Sequence, residues 1–310
     1  MDANNTASMN EIKVAENTKP INSIKAINTA TLKDRLRGYV KNPFSGLLFL
    51  IVSLAALITF AVLLFLIGYI LVRGVPHLTL SLFEWEYTTA NVSMMPAIVN
   101  TFSMVILGLT IAGPLGIFSA IYLVEYAQSK NRIVKVVRMT AETLAGIPSI
   151  VYGLFGYLFF VVALGWGFSL LAGAFTLAIM ILPLIMRTTE EALMSVPISF
   201  REGSFALGAG KLRTIFRIVL PSAVPGILAG IILATGRVVG ETAALMFTAG
   251  SFAQIPGSVM GAGRTLAVHM YSLANEGLHV NQASATAVVL LVMVLLINWF
   301  SAAVAKRITR

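Results

Sequence analysis

Six runs of apolar residues, each long enough to cross a lipid bilayer, dominate this chain of 310 residues. A hydrocarbon core of about 30 Å takes about 20 apolar residues per helix. The runs are 47–72, 97–126, 143–164, 168–186, 222–247 and 285–304. Four of them contain no Asp, Glu, Lys or Arg. Lipid offers no partner to open backbone groups, so such runs fold as helices. The third and fourth are separated only by the stretch around Gly165-Trp166-Gly167, which predicts a hairpin. Composition agrees: 57% of residues are hydrophobic and 11% charged, against about 45–50% and about 25% in soluble domains. The apolar excess excludes a disordered chain. The absence of cysteine excludes a disulfide framework, thiol catalysis and Cys-based metal sites. The expected class is an all-α polytopic membrane protein with about six transmembrane helices.

The net charge of +9 invites a nucleic-acid reading, and the positions of the charges remove it. Nineteen of the 22 Lys and Arg residues fall in four places: the first 41 residues, the segment 127–139, the segment 187–221 and the C-terminus. These segments alternate along the chain with segments holding only Arg73 and Arg264, while Arg237 lies inside the fifth run. Lys and Arg favour the cytoplasmic side, so both termini are placed there. Residues 1–41, rich in Asn, Thr and Lys, lack the apolar core of a signal peptide. They are read as a disordered polar cytoplasmic tail ending in a basic segment, 32–41, beside the lipid headgroups. Residues 42–310 are read as a six-span transmembrane domain. Outside, 73–96 carries Trp85 and Tyr87, suited to a membrane interface. The Gly- and Ser-rich 248–284, with Pro256, Gly257, Gly261 and Gly263, is expected to dip back into the protein.

The segment 187–221 is the informative cytoplasmic one. Thr188-Thr189-Glu190-Glu191 and Ser199-Phe200-Arg201-Glu202 each have the Ser/Thr-x-x-Glu form of a capping box. That form predicts two short helices separated by Pro197. Gly208 and Gly210 are expected to end the second in a left-handed conformation. By itself this pattern fits a surface helix that only tidies a loop. Glu125 and Glu142, which flank 127–139, are expected to pair with its Lys and Arg residues. A phosphate-binding loop needs another glycine five positions before the glycine of Gly-Lys-Ser/Thr. The Gly210-Lys211 pair is followed by Leu212 and has Phe205 at the first glycine position, so the motif is absent. Any ATP-driven step would therefore fall to a partner chain, and this chain is expected to bind no cofactor and catalyse no reaction.

Glu202-Gly203-Ser204, then Gly208, then Ile218-Val219-Leu220-Pro221 resembles the coupling loop of ABC importer permeases. The family pattern is Glu-Ala-Ala, three residues, Gly, about nine residues, Ile-x-Leu-Pro. Gly203 and Ser204 replace its two alanines. The resemblance implies that a short helix docks on an ATPase subunit through Glu202, Gly203, Ser204, Gly208, Ile218, Leu220 and Pro221. Residues 237–247 and 146–156, with Arg187-Thr188-Thr189-Glu190-Glu191-Ala192-Leu193, are similar to the phosphate-specific transport (Pst) permeases. The segment 266–271 and the short first external loop favour the PstA type. The resemblance covers roughly 95–305. It implies a type I importer fold in a bacterial or archaeal cytoplasmic membrane. The implied partners are a PstC-like second permease subunit, two PstB-like ATPase subunits carrying ATP and Mg, and an external PstS-like phosphate-binding protein.

Two charges inside the fifth run carry the substrate argument. At about 1.5 Å per residue, Arg237 lies about 22 Å from Ser222, past the midplane, and Glu241 about 6 Å beyond. Four apart on one helix, they share a face. A mid-membrane Arg is costly and usually faces a cavity or a partner. Two readings stand: the pair neutralises itself inside the bundle, or Arg237 draws an oxyanion through charge-assisted hydrogen bonds. In the second, Glu241 keeps the site from becoming a trap, and accepts a proton from P–OH, which phosphate has near neutral pH and sulfate lacks. Arg187, at the cytoplasmic end of the fourth run, is a boundary residue or an exit guide. Another oxyanion such as sulfate or molybdate, or an ATP-independent secondary transporter, remains an alternative. His77, His269 and His279 lack metal-binding spacing. Gly108, Gly113, Gly226, Gly230 and Gly236 permit close helix contact.

Overall fold

The computed structural model describes residues 43–127 and 131–308. The tail 1–41, its basic segment 32–41, Lys130 and Arg310 lie outside the described residues. The chain divides into two compact units, 1–67 and 68–310. In the first, the described residues belong to the apolar helix α1 (Pro43–Gly74), which carries no charge before Arg73. The second unit contains the remaining helices. They are α2 (Met95–Ile121), α3 (Arg132–Ala145), α4 (Ser149–Gly156), α5 (Leu170–Met194), α6 (Ile198–Ala206), α7 (Lys211–Thr214), α8 (Leu220–Gly240), α9 (Ala243–Thr248), α10 (Leu266–Glu276) and α11 (Val280–Ile308). Among the described residues, five helices are long and apolar enough to cross a membrane, and six if a bent pair counts as one span.

That bent pair corrects the third run. Its first residues, 143–145, belong to α3, an amphipathic helix where the charge map suggested a loop. The chain then breaks at Gly146-Ile147-Pro148. Proline disfavours the helical region at the residue before it, and α4 leaves with a bend of 103° between the two helical stretches. α4 widens into a π-helical stretch, Tyr157–Ala163. Similar wide turns close α2 (Tyr122–Tyr126) and precede α8 (Ile215–Val219). Before α8 the reason is chemical: Pro221 has no N–H to continue the i→i−4 ladder onto the Arg217 carbonyl.

Small residues set how the helices pack. Lipid is as apolar as the helix faces, so association in a membrane rests on close packing rather than on hydrophobic burial. A Cβ on Gly173 would stand 2.6 Å from Met104 Cε, one on Gly116 2.8 Å from Ile185 Cγ2, and one on Gly108 3.8 Å from Leu177 Cβ. The contacts 104/173, 108/177 and 116/185 keep one offset, so α2 and α5 run parallel. Against α8 the sense reverses. A Cβ on Gly226 would meet Ala192 Cβ at 2.6 Å, and one on Gly230 would meet Thr188 Oγ1 at 2.0 Å. The core between these helices holds Met104, Leu177, Met180, Ile181, Ile185 and Val238, all buried. The external segment does fold back: Leu170 and Leu171 donate to the Gly261 and Val259 carbonyls at 3.0 and 2.9 Å.

Candidate functional site

The register just described fixes the depth of Arg237. With 226 beside 192 and 230 beside 188, residue 237 comes level with about 181, some 17 Å from the external end of α5 at 1.5 Å per residue. It is half-buried in the last turn of α8. A cavity of about 350 Å³ reaches it, lined by Arg138, Glu142, Pro183, Leu184, Arg187 and Glu190 among others. Arg237 and Arg187, singled out separately in the sequence, thus line one cavity between α3, α5 and α8. The Tyr152 phenol, donating to the Leu144 carbonyl at 2.7 Å, lies within electrostatic range of Arg237.

Glu241 is placed differently from the sequence expectation. α8 ends at Gly240, Glu241 adopts an extended backbone, and α9 starts at Ala243. The fifth run is therefore two helices, and Arg237 and Glu241 share no helical face. Glu241 is buried, and its Oε1 accepts from the Ala244 amide at 3.1 Å, capping α9. It is not among the residues lining the cavity.

The cavity's charges are unequally neutralised. Arg138 pairs with the buried Glu190. Arg187 pairs with Glu142 at 3.4 Å and with Glu191 at 3.2 Å. Arg187 and its two partners are each over 60% exposed, so these contacts are worth little, about 0–1 kcal/mol. Among the described residues Arg237 has no carboxylate within ion-pair distance. The cavity is thus most strongly cationic at its deep end.

The 187–221 segment builds a second surface. The first predicted helix start does not exist: α5 runs on to Met194, and Thr188 Oγ1 bonds back to the Leu184 carbonyl at 2.9 Å. Continuous i→i−4 bonding left no free amides for a box to cap. The second helix, α6, does form, but Pro197 rather than Ser199 stands at its cap. Gly208 is left-handed (φ 78°), as expected, whereas Gly210 (φ −71°) opens α7. Ser204 is buried and shares a 2.8 Å hydrogen bond with Thr214. A Cβ on Gly203 would meet nothing within 4 Å. Glu202 is exposed, as are Ile198, Phe200, Phe205, Leu207 and Leu212. Ile218, Leu220 and Pro221 sit where the π-helical turn passes into α8.

Arg201, an inner residue of the Ser199–Glu202 pattern, anchors α6. Its Nη2 donates to Glu125 Oε1 at 2.7 Å and to the Leu193 carbonyl at 3.0 Å; Nη1 donates to the Val196 carbonyl at 3.0 Å. Among the described residues, Glu125 and Glu142 therefore pair with Arg201 and Arg187 rather than with the basic residues of 131–139. The available signal was slight: Glu125 is the one acid in the second run. Among the described residues no group of three metal-ligating side chains occurs.

A family model described as "Binding-protein-dependent transport system inner membrane component" matches residues 29–310. The probable ABC transporter permease protein YqgI of Bacillus subtilis (strain 168) is 34% identical over 285 residues, 83% of this chain and 95% of that protein. Phosphate transport system permease protein PstA 1 of Mycobacterium tuberculosis (strain CDC 1551 / Oshkosh) is 37% identical over 222 residues, 69% of this chain and 71% of that one. The crystal structure of a bacterial ABC transporter involved in the import of the acidic polysaccharide alginate aligns with a TM-score of 0.62. It covers 89% of this chain and 100% of its own, at 19% identity, which is a likeness of fold.

Proposed function

We propose, on the premise that this chain belongs to the family of binding-protein-dependent transport inner membrane components, that it carries inorganic phosphate inward as a PstA-type subunit. The chain is a multi-pass inner-membrane permease subunit of a bacterial ABC importer, non-catalytic, with the type I importer fold. Phosphate is supported by the PstA relatives, at 37% identity over 222 residues for the one from Mycobacterium tuberculosis. The observation that carries the reading is the unpaired Arg237 at the deep end of a cavity whose other arginines are paired.

In this reading an oxyanion meets Arg237 by charge-assisted hydrogen bonds. It then leaves past Arg187, whose contacts with Glu142 and Glu191 are weak enough to yield. The carboxylates that line the cavity, Glu190 and Glu142, keep binding reversible and accept from P–OH. Glu241 acts at one remove: by capping α9 it fixes where α8 ends, and so where Arg237 stands. The exposed face of α6, with Glu202, Gly203 and Gly208, docks on an ATPase subunit. The buried Ser204, with Ile218, Leu220 and Pro221, passes that motion to α8. The partners are a PstC-like permease, two PstB-like ATPases with ATP and Mg, and a PstS-like binding protein.

The test is uptake by the assembled transporter in proteoliposomes. Arg237→Gln should abolish binding-protein-dependent phosphate uptake while leaving assembly intact. Wild-type uptake by that variant refutes the pathway, and preferential uptake of sulfate or molybdate by the unaltered transporter refutes phosphate.

A further inference from the structure

Several buried polar atoms without hydrogen-bond partners lie on the external side, away from the cavity just described. Among the described residues they include Nε and Nη2 of Arg264, Oγ1 of Thr265 and Oδ1 of Asn100. Arg264 is 5% exposed, and Thr265 and Asn100 1% each. Thr265 follows Arg264 in the chain, and Asn100 meets the Arg264 backbone. The Asn100 amide donates to the Arg264 carbonyl at 3.1 Å and to the Gln254 carbonyl at 2.8 Å. Thr101 Oγ1 accepts from the Leu266 amide at 2.9 Å, which ties the start of α10 to α2. Arg264 forms no ion pair within 4 Å among the described residues. A buried guanidinium in that condition is expensive, because its hydration is lost and not replaced.

One side chain lies over this cation: the Tyr87 ring, whose centroid is 4.8 Å from Arg264 Cζ. Beyond Tyr87 is a second cavity, of about 370 Å³, lined by Trp85, Glu86, Tyr87 and Gln254 among others. The segment that carries Tyr87 stores backbone strain. Val92, β-branched and 1% exposed, has φ +50°, a region that L-residues with a branched Cβ avoid. Strain of this kind persists where surrounding structure enforces it, and it clusters at binding sites and switches. Glu84 is engaged by Asn91 Nδ2 at 2.7 Å, so it does not answer Arg264.

We propose that Arg264, Thr265 and Asn100 form a second oxyanion site, on the external side, which the Tyr87 ring closes in this structure. Nε and Nη2 are the two N–H groups that form the side-on fork for an oxyanion. The hydroxyl of the next residue, Thr265, donates a third bond, and the Asn100 oxygen accepts from an X–OH group. The complement is an inorganic oxyanion that keeps one proton. The Tyr87 ring and the anion compete for one face of the guanidinium, so lifting the segment 84–94 uncovers the site toward the neighbouring cavity.

Equilibrium binding of radiolabelled inorganic phosphate to the assembled transporter in nanodiscs, without ATP or external binding protein, tests this. Arg264→Gln should remove one class of bound phosphate, and Arg237→Gln should leave that class in place. Tyr87→Ala should tighten it about tenfold relative to Tyr87→Phe, because a desolvated cation–π contact no longer competes. Wild-type binding by Arg264→Gln overturns the proposal. If that variant does not fold, equal affinity in Tyr87→Ala and Tyr87→Phe overturns it. Phosphate binding that depends on Arg264 but is unchanged in Arg237→Gln would refute the pathway above and leave this site standing.

Discussion

Replacing Arg201 by alanine should loosen α6 from the rest of the protein. The Arg201 and Glu125 side chains are 18% and 9% exposed. Removing one partner of a buried pair costs about 3–5 kcal/mol, chiefly because the other charge stays behind without water. The Leu193 and Val196 carbonyls also lose charged donors, but they lie near the end of α5, where solvent can replace much of that loss. A destabilisation of about 3 kcal/mol follows, at the lower end of that range because Arg201 keeps some solvent contact. The assay is a double-mutant cycle of Arg201→Ala, Glu125→Ala and both, read by reversible unfolding in mixed micelles. The same variants are then measured for ATPase activity and uptake in the assembled transporter. If the two groups act on one another, the cycle leaves an interaction energy of about 1 kcal/mol or more, and uptake falls while ATP hydrolysis persists. Strictly additive single effects, with normal uptake in both, would refute the anchoring role.

Further outcomes are expected from other positions. Gly203→Ala meets no neighbour and should stabilise α6 by about 0.5–1 kcal/mol. Gly208→Ala, at φ 78°, should cost about 1–2 kcal/mol; thermal unfolding of the two variants checks the contrast. Gly230→Ala places a Cβ 2.0 Å from Thr188 Oγ1 and should destabilise by about 1–3 kcal/mol through overpacking, measured the same way. His269 in α10 is buried, and burial first, then the Arg264 charge, pull its pKa down to about 3. The unfolded chain, at about 6.5, then holds the extra proton, so stability is full above about pH 6.5 and falls toward pH 3. Each pH unit costs up to about 1.4 kcal/mol, and His269→Gln should flatten the unfolding midpoint against pH over that range.

Much of the fold is legible in hydropathy because lipid removes every alternative to a helix for an apolar run. The breaks are less legible. Gly146-Ile147-Pro148 looks like ordinary punctuation inside an apolar segment: Pro148 marks a break, but the spacing does not give its 103° angle. Glu241 reads as a helical residue because spacing alone does not show where bonding stops. The Thr188 capping box misleads for the same reason: a cap forms only where amides are free, and α5 had already used them. Arg237 and Arg187 were visible as isolated charges in apolar surroundings, and their shared cavity follows from interhelical register. Arg201 and Glu125 are 76 positions apart, so only the folded chain brings them together.

The constant offset between α2 and α5 has a mechanical consequence. Side chains meshed at 104/173, 108/177 and 116/185 act as teeth. Neither helix can creep along the other by a fraction of a turn, and a whole-turn slip of about 5.4 Å would have to disengage all three contacts at once. The pair therefore moves as one keel. Under the proposed pathway, a stroke that carries a solute past Arg237 is taken up where the ladder is already interrupted, at 146–148 and 240–242.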